Sequence, residues 1–238
     1  MFQMSIDPRD LQAGLTDVER RQVPQATVWA LNHTAKDVLE HMQRRMEVVF
    51  DRPTPFTKNA FHVWRATRQT MTATVQERPS VGRRHFLKVQ EAGGRRPGTG
   101  LERLLQNRLK YSGQIVAAVP AAGARLDGRG NWSSGQRNQV LSAIQAQGDR
   151  SANTTAASRK RNPKRTGFFV PRPGSKLSKG VWQRDGRQRI RKVLHFTAAM
   201  PAYTRRLGFF EGAREVYARS FPMHFRRAFQ RAMATRRR

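Results

Sequence analysis

From Pro24 to Phe50 one apolar stripe runs unbroken: Val28, Leu31, Ala35, Val38, Met42, Met46 and Val49 fall three or four residues apart. That is the period at which side chains stack on one face of an α-helix. Asp37, Glu40, Arg44, Arg45 and Glu47 lie mostly off the stripe. Pro24 suits a first helical turn, where the N–H it lacks would have no partner, and Pro53 and Pro55 stop the helix. At about 1.5 Å per residue the rod is roughly 40 Å long. A rod of that length with one apolar face either organises a domain or crosses a subunit boundary.

The rest of the chain alternates short elements with glycine-rich stretches. Between Ala60 and Glu77, Met71, Ala73 and Val75 alternate with Thr72, Thr74 and Gln76, a threonine-rich period of two that predicts a half-buried strand. A short helix is expected over Gly82–Ala92, closed by Gly93-Gly94 as a C-cap. Residues 95–130 read as irregular, with a weak helical piece near Leu101–Leu109. Ser133 or Ser134 then caps a helix through Val140, Leu141 and Ile144. A β-meander follows, with strands at Gly167–Pro171, Val181–Arg184 and Gln188–Phe196. Asp185-Gly186 between the last two is a strong hairpin signal, because a type I′ turn requires positive φ at both central positions.

The chain closes in a second amphipathic helix, Phe209 to Ala234. Its apolar stripe is Phe210, Ala213, Tyr217, Phe221, Phe225, Phe229 and Ala232, with Pro222 set to kink or divide it. The fold class is therefore α+β: a long N-terminal amphipathic helix, a small antiparallel sheet with a C-terminal hairpin, and a closing amphipathic helix. Residues 1–147 supply the helix-plus-strand part of a single α+β domain. Residues 148–166 read as a basic flexible insertion, and 167–238 as the meander and basic helix that complete the same domain. No internal repeat is found.

Charge separates the two halves. Thirty-seven arginines and nine lysines face sixteen carboxylates, a formal net charge of +30. Residues 148–238 hold 24 of those cations and only 4 carboxylates. Self-repulsion on that scale works against a compact state, so it points to a polyanionic partner, nucleic acid first. The arginine bias fits that partner, since the guanidinium fork binds two phosphate oxygens at once. The candidate contacts are Arg159, Lys160, Arg161, Lys164 and Arg165 in the insertion, and Arg226, Arg227, Arg231, Arg236, Arg237 and Arg238 at the C-terminus. No base-clamping signature accompanies them, so contact without sequence preference is expected.

Several function classes find no support. Zero cysteines exclude disulfides and thiolate metal sites. His33, His41, His62, His85, His195 and His224 are scattered without metal-ligand spacing, so neither a metal nor a cofactor is expected. Asp7, Asp10, Asp17 and Glu19 suit helix first turns or partner arginines. Arg95-Arg96-Pro97-Gly98-Thr99-Gly100 resembles a phosphate loop only until the Gly-Lys-Ser/Thr ending it lacks. No apolar run approaches the length of a membrane span, and the N-terminus lacks the basic-then-apolar pattern of a signal peptide. No catalytic constellation stands out, so no enzyme is expected.

A further signal lies in the order of short segments. Val23-Pro24-Gln25-Ala26 leads into Ala30-Leu31-Asn32-His33-Thr34-Ala35, then Arg52-Pro53-Thr54-Pro55-Phe56-Thr57-Lys58-Asn59-Ala60. Phe86-Leu87-Lys88-Val89-Gln90-Glu91-Ala92-Gly93-Gly94 and Gly180-Val181-Trp182-Gln183-Arg184 follow, ahead of the closing helix. In this order the chain resembles the minor tail protein Z and tail-completion (neck) proteins of long-tailed bacteriophages. The stretches 95–130 and 148–166 have no counterpart in that pattern. The resemblance implies a structural virion protein of the head–tail junction, assembled in the host cytoplasm as a homo-oligomeric ring, hexameric or dodecameric. Its neighbours would be neck, connector, tail-terminator or tail-tube proteins, with DNA passing through and no membrane involved. Val181, Trp182, Phe221, Phe225 and Phe229 are the subunit-interface candidates, the first two through pairing of an exposed strand. The competing reading is a ribosomal or other RNA-binding structural protein, which the same arginine excess would serve. The long, partly acidic first helix favours subunit packing over threading through RNA.

Overall fold

A computed structural model describes residues 16, 18–82, 86–109, 115–163, 167–184 and 189–235. The apolar stripe folds as helix α1, Val23–Val49, behind a π-helical turn at Val18–Gln22. After α2, Pro55–Lys58, strands β1, Phe61–Trp64, and β2, Thr74–Glu77, form a hairpin, followed by α3, Pro79–Gly82. Next come α4, Phe86–Ala92, β3, Gly94–Arg95, α5, Gly100–Arg108, and β4, Ala117–Pro120. Helix α6, Ser134–Ala143, a 3-10 turn at Arg150–Ala152 and helix α7, Ala156–Arg161, lead to β5, Phe168–Phe169. Strands β6, Gly180–Arg184, β7, Ile190–Thr197, and β8, Ala202–Tyr203, precede the closing helix α8, Phe209–Ala234. The chain is thus mixed helix and small antiparallel sheets. It divides into two compact units, Met1–Arg83 with Arg206–Arg238, and Arg84–Arg205. The first unit combines both ends of the chain, because the C-terminal helix returns to pack on α1.

In the first unit α1 and α8 run antiparallel. Ala26 packs with Ala228 and Ala232, Asp37 meets His224, and the Arg45 guanidinium donates to the carbonyls of Arg206 and Leu207 at 2.8 and 2.9 Å. Position numbers rise on one helix as they fall on the other. Val28, Ala35, Val38, Met42, Met46 and Val49 are buried as the stripe predicts, while Leu31 is half-buried. The α8 stripe is different from the expected one. Its buried residues are Gly212, Val216, Ser220, Ala228 and Ala232, and the aromatic row stands beside them. Two helices that approach closely admit only small side chains along the line of contact. A Cβ added at Gly212 would lie 2.5 Å from His41 Nε2, which shows how near the backbone comes. Helix α8 continues through Pro222 as one element.

The β1–β2 hairpin covers the same unit. The 60–77 stretch is therefore two short strands, where the threonine alternation predicted one. Met71, placed in that strand, has φ of 45° and sits in the connection. The Asn32 side-chain amide clamps the hairpin by donating to the Ala66 carbonyl at 3.1 Å and accepting the Ala66 N–H at 2.8 Å. Phe61 and Phe209 rings stack at 4.9 Å.

The second unit is built on a four-stranded antiparallel sheet of order β4-β7-β6-β5. The meander forms as the sequence predicts, and β4, from the stretch read as irregular, joins its open side. The Asp185-Gly186 turn lies outside the described residues. Between β6 and β7, Val181 pairs with Leu194 but Trp182 pairs with Lys192, so Val193 is an extra residue at a bulge in β7. The bulge breaks the pleat, and consecutive Val193 and Leu194 are both buried. They meet Leu105, Ile115, Val140, Leu141, Phe168, Val181 and Phe196 in one core. Gly93, at φ 74°, closes α4 with its N–H on the Val89 carbonyl at 2.9 Å, as the paired glycines predict.

Met42 is fully enclosed and Val48 is 77% exposed on the same helix. Met42→Ala should lower unfolding free energy by about 2–5 kcal/mol, and Val48→Ala by about 0.5 kcal/mol or less, in urea titrations followed by circular dichroism. Equal effects would mean that the α1 stripe is not the core of its unit.

Candidate polyanion interface

Helix α7 carries the first basic group. Asp149 accepts the Ser151 N–H at 2.9 Å and Thr155 accepts the Ser158 N–H at 3.2 Å, so each short helical piece begins on a side-chain cap. Ser142 donates to the Ala152 carbonyl at 2.8 Å, Gln145 to that of Thr154 at 2.8 Å, and Gln147 N–H to Asn153 Oδ1 at 3.1 Å. These bonds fasten the segment to the end of α6. The 148–163 part of the expected flexible insertion is thus a capped, strapped structure, because its polar residues bond α6 directly.

Arg159, Lys160 and Arg161 occupy the last turn of α7 and are exposed. Cations there suit the negative end of the helix. Arg159 Nη2 donates to the Ala143 carbonyl, the last residue of α6, at 3.3 Å. Lys164 and Arg165 lie outside the described residues, as do Arg236, Arg237 and Arg238. Arg226 and Arg227 are exposed on α8. Arg231 lies over the Trp29 ring at 5.0 Å, so it also binds α8 to α1. The two basic groups belong to different units.

The interface candidates separate. Val181 is fully buried in its own sheet, and β6 is an inner strand flanked by β7 and β5. Trp182 pairs with β5 on one edge and β7 on the other, so the strand-pairing role expected for it is taken up within the sheet, while the Val181 side chain belongs to the sheet's own core. Trp182 is held by Nε1 donating to the Ser178 carbonyl at 2.9 Å, with Lys192 Nζ 5.7 Å from its ring centre. Phe221, Phe225 and Phe229 are half-buried and continue from Tyr217 as a ladder, with centroids 5.0, 6.0 and 6.1 Å apart. Phe225 and Phe229, like Trp29, also pack against the Ala26, Ala228 and Ala232 cluster. Tyr217 is 47% exposed and Phe210 65%.

Two ionic centres were not singled out by sequence reasoning. In the second unit Arg96 grips Glu102 through both nitrogens, at 2.8 and 2.5 Å, and Glu102 also accepts the N–H groups of Thr99 at 2.7 Å and Ala118 at 3.0 Å. Thr99 in turn accepts the Glu102 N–H at 3.3 Å, a capping box that starts α5. Burial alone would raise the Glu102 carboxyl, but the Arg96 guanidinium and the donors of Thr99 and Ala118 outweigh it and hold the group at about 2. The apparent phosphate loop is thus an internal clamp. In the first unit His224 Nε2 lies 2.8 Å from Asp37 Oδ2, and the His33 ring stacks on His224 at 5.4 Å. Burial would raise the Asp37 carboxyl; hydrogen bonds from His224 and Ser220 and the charge of the two histidines hold it below its ordinary value. Thr99-x-x-Glu102 and the His33–Asp37 spacing were the available signals. Among the described residues no group of three histidines or carboxylates forms a metal site, and no helix is long and apolar enough to cross a membrane.

No protein-family model, curated protein or solved structure matches this chain.

Because Glu102 titrates lower folded than unfolded, its contribution is complete above the ordinary carboxylate range and is lost as pH falls toward about 2. Glu102→Gln should cost about 1–3 kcal/mol at neutral pH, since it leaves the half-buried Arg96 guanidinium without its counter-charge. The variant should also show a flatter loss of stability between pH 5 and pH 2 than the parent. A parallel acid profile for the two would sink this account of the clamp.

Proposed function

We propose that this chain is a structural protein of a tailed-phage head–tail junction, packing with copies of itself and with neck and tail proteins around DNA that it contacts without reading sequence. The observation that carries the reading is the imbalance of charge, 46 Lys/Arg against 16 Asp/Glu. The excess is 30 with every carboxylate already counted, and several carboxylates are matched to cations inside the chain. Glu40 holds Lys36, Glu47 holds Lys58, Asp51 holds Arg52, Glu91 holds Arg205, Glu102 holds Arg96 and Asp37 holds His224. Neutralisation must therefore come from outside, and a DNA backbone supplies a dense row of phosphates. The half-exposed ladder Tyr217, Phe221, Phe225 and Phe229 supports assembly, because stacked rings at a surface are the residue type that protein interfaces favour. The resemblance in segment order to tail-completion proteins supplies the location.

Freed of nucleic acid by high salt, the protein should sediment as a ring-sized oligomer and bind duplex DNA with little sequence preference. A monomer that binds structured RNA tightly and duplex DNA weakly would overturn the reading in favour of an RNA-binding structural protein. Replacing Arg159, Lys160 and Arg161 by Gln should weaken duplex binding at low salt. It should also reduce the slope of log affinity against log salt by about 0.9 for each phosphate that the variant no longer neutralises. An unchanged slope would show that α7 meets protein or solvent.

A further inference from the structure

A pocket of about 540 Å³ opens in the second unit between α6, α7, β5 and β6. That volume lies within the range of small-ligand sites. Arg159 and Arg184 both line it, and among the described residues no carboxylate does. Phe168, Phe169, Val170, Leu109 and Ile144 supply its apolar lining. The two arginines are held in place by their surroundings. Arg159 bonds the Ala143 carbonyl at 3.3 Å, and the Arg184 guanidinium lies over the Phe169 ring, 5.6 Å from its centre. Behind them Arg184 N–H bonds the Gly167 carbonyl at 2.8 Å. A Cβ added at Gly167 would meet the Arg184 carbonyl at 2.7 Å, so the wall closes only on glycine.

Two guanidiniums at one pocket favour an anion, and a guanidinium beside an aromatic ring favours a further flat, π-rich group. A nucleotide combines both features, a phosphate joined to a flat heteroaromatic ring. A base still paired inside a duplex has its faces covered by its neighbours, so the nucleotide must come from unpaired strand. We propose that this pocket holds one unpaired nucleotide of a nucleic-acid strand, its phosphate between Arg159 and Arg184 and its base stacked on the Arg184–Phe169 layer. The proposal rests on the polyanion reading above and adds to it a base-dependent component that backbone contacts alone do not have.

Fluorescence anisotropy with a labelled oligothymidylate, an abasic strand of equal length, a duplex of equal length and free thymidine monophosphate as competitor tests it. The parent protein should bind oligothymidylate about fivefold to a hundredfold more tightly than the abasic strand, the range expected for one stacked base. Free nucleotide should compete only weakly, which assigns the site to a strand. Phe169→Leu, which keeps apolar volume, and Arg184→Lys, which keeps charge but loses the planar fork, should each bring the ratio of oligothymidylate to abasic affinity close to one. The parent comparison needs no variant, so misfolding of either substitution leaves the proposal open to refutation. Equal, strongly salt-dependent binding of the base-bearing and abasic strands would overturn the pocket and leave the polyanion reading standing. Failure to bind any strand, the duplex included, at low salt would sink both. Competition by free nucleotide as strong as by the strand would make this a mononucleotide site and overturn the proposed strand contact.

Discussion

The first unit depends on how closely α8 approaches α1. Gly212, Val216, Ser220, Ala228 and Ala232 form the buried row of α8, and at Gly212 even a Cβ would collide with His41. The close approach then decides the rest of the unit. It displaces Tyr217, Phe221, Phe225 and Phe229 to the flank, where they stack on one another. It brings Asp37 within 2.8 Å of His224, and it sets Arg231 over Trp29. It also makes the chain return to its beginning, so that Arg84–Arg205 is inserted in sequence between the two parts of the first unit.

That topology requires the inserted unit to have a core of its own. The bulged strand β7 supplies it by turning both Val193 and Leu194 inward. Glu102 then joins helix α5 to strand β4 by accepting the Ala118 N–H, while Arg96 neutralises it. A buried carboxylate tolerates its loss of water only with several donors and a cation around it, and here it has both. The clamp removes Arg96 from any role toward an external phosphate.

Both long helices, the meander and the glycine stop at Gly93 were legible, because each rests on local signals of period or turn chemistry. The rows facing inward on α8 were not. Periodicity measures hydrophobicity, and it selected Phe221 and Phe225 over Gly212 and Ala228, whereas burial followed size at a close helix contact. Strand β4 was hidden because Ala117–Pro120 offers four residues and a proline, and becomes a strand only by pairing with β7. The clamp was legible in part: Thr99-x-x-Glu102 is a capping-box signature, but its partners Arg96 and Ala118 are fixed by tertiary structure. At the candidate interface the cations were visible as composition. The pairing of Arg184 with Phe169, and the enclosure of Val181, needed the sheet order.

The charge excess also takes on a more specific meaning once the arginines are sorted by what they touch. Arg96 and Arg45 build the fold, the one on a buried carboxylate and the other on backbone carbonyls. Arg231 builds it through an aromatic face. Arg159, Lys160 and Arg161 stand exposed on a helix that the neighbouring α6 holds in place, and Arg226 and Arg227 stand exposed on α8. A solvated tail can neutralise phosphates at any spacing, but cations on a fastened helix present them at fixed positions. Pre-positioning lowers the ordering cost on binding. It favours a partner whose phosphates also lie at fixed spacing, and a nucleic-acid backbone meets that condition better than a mobile acidic peptide does.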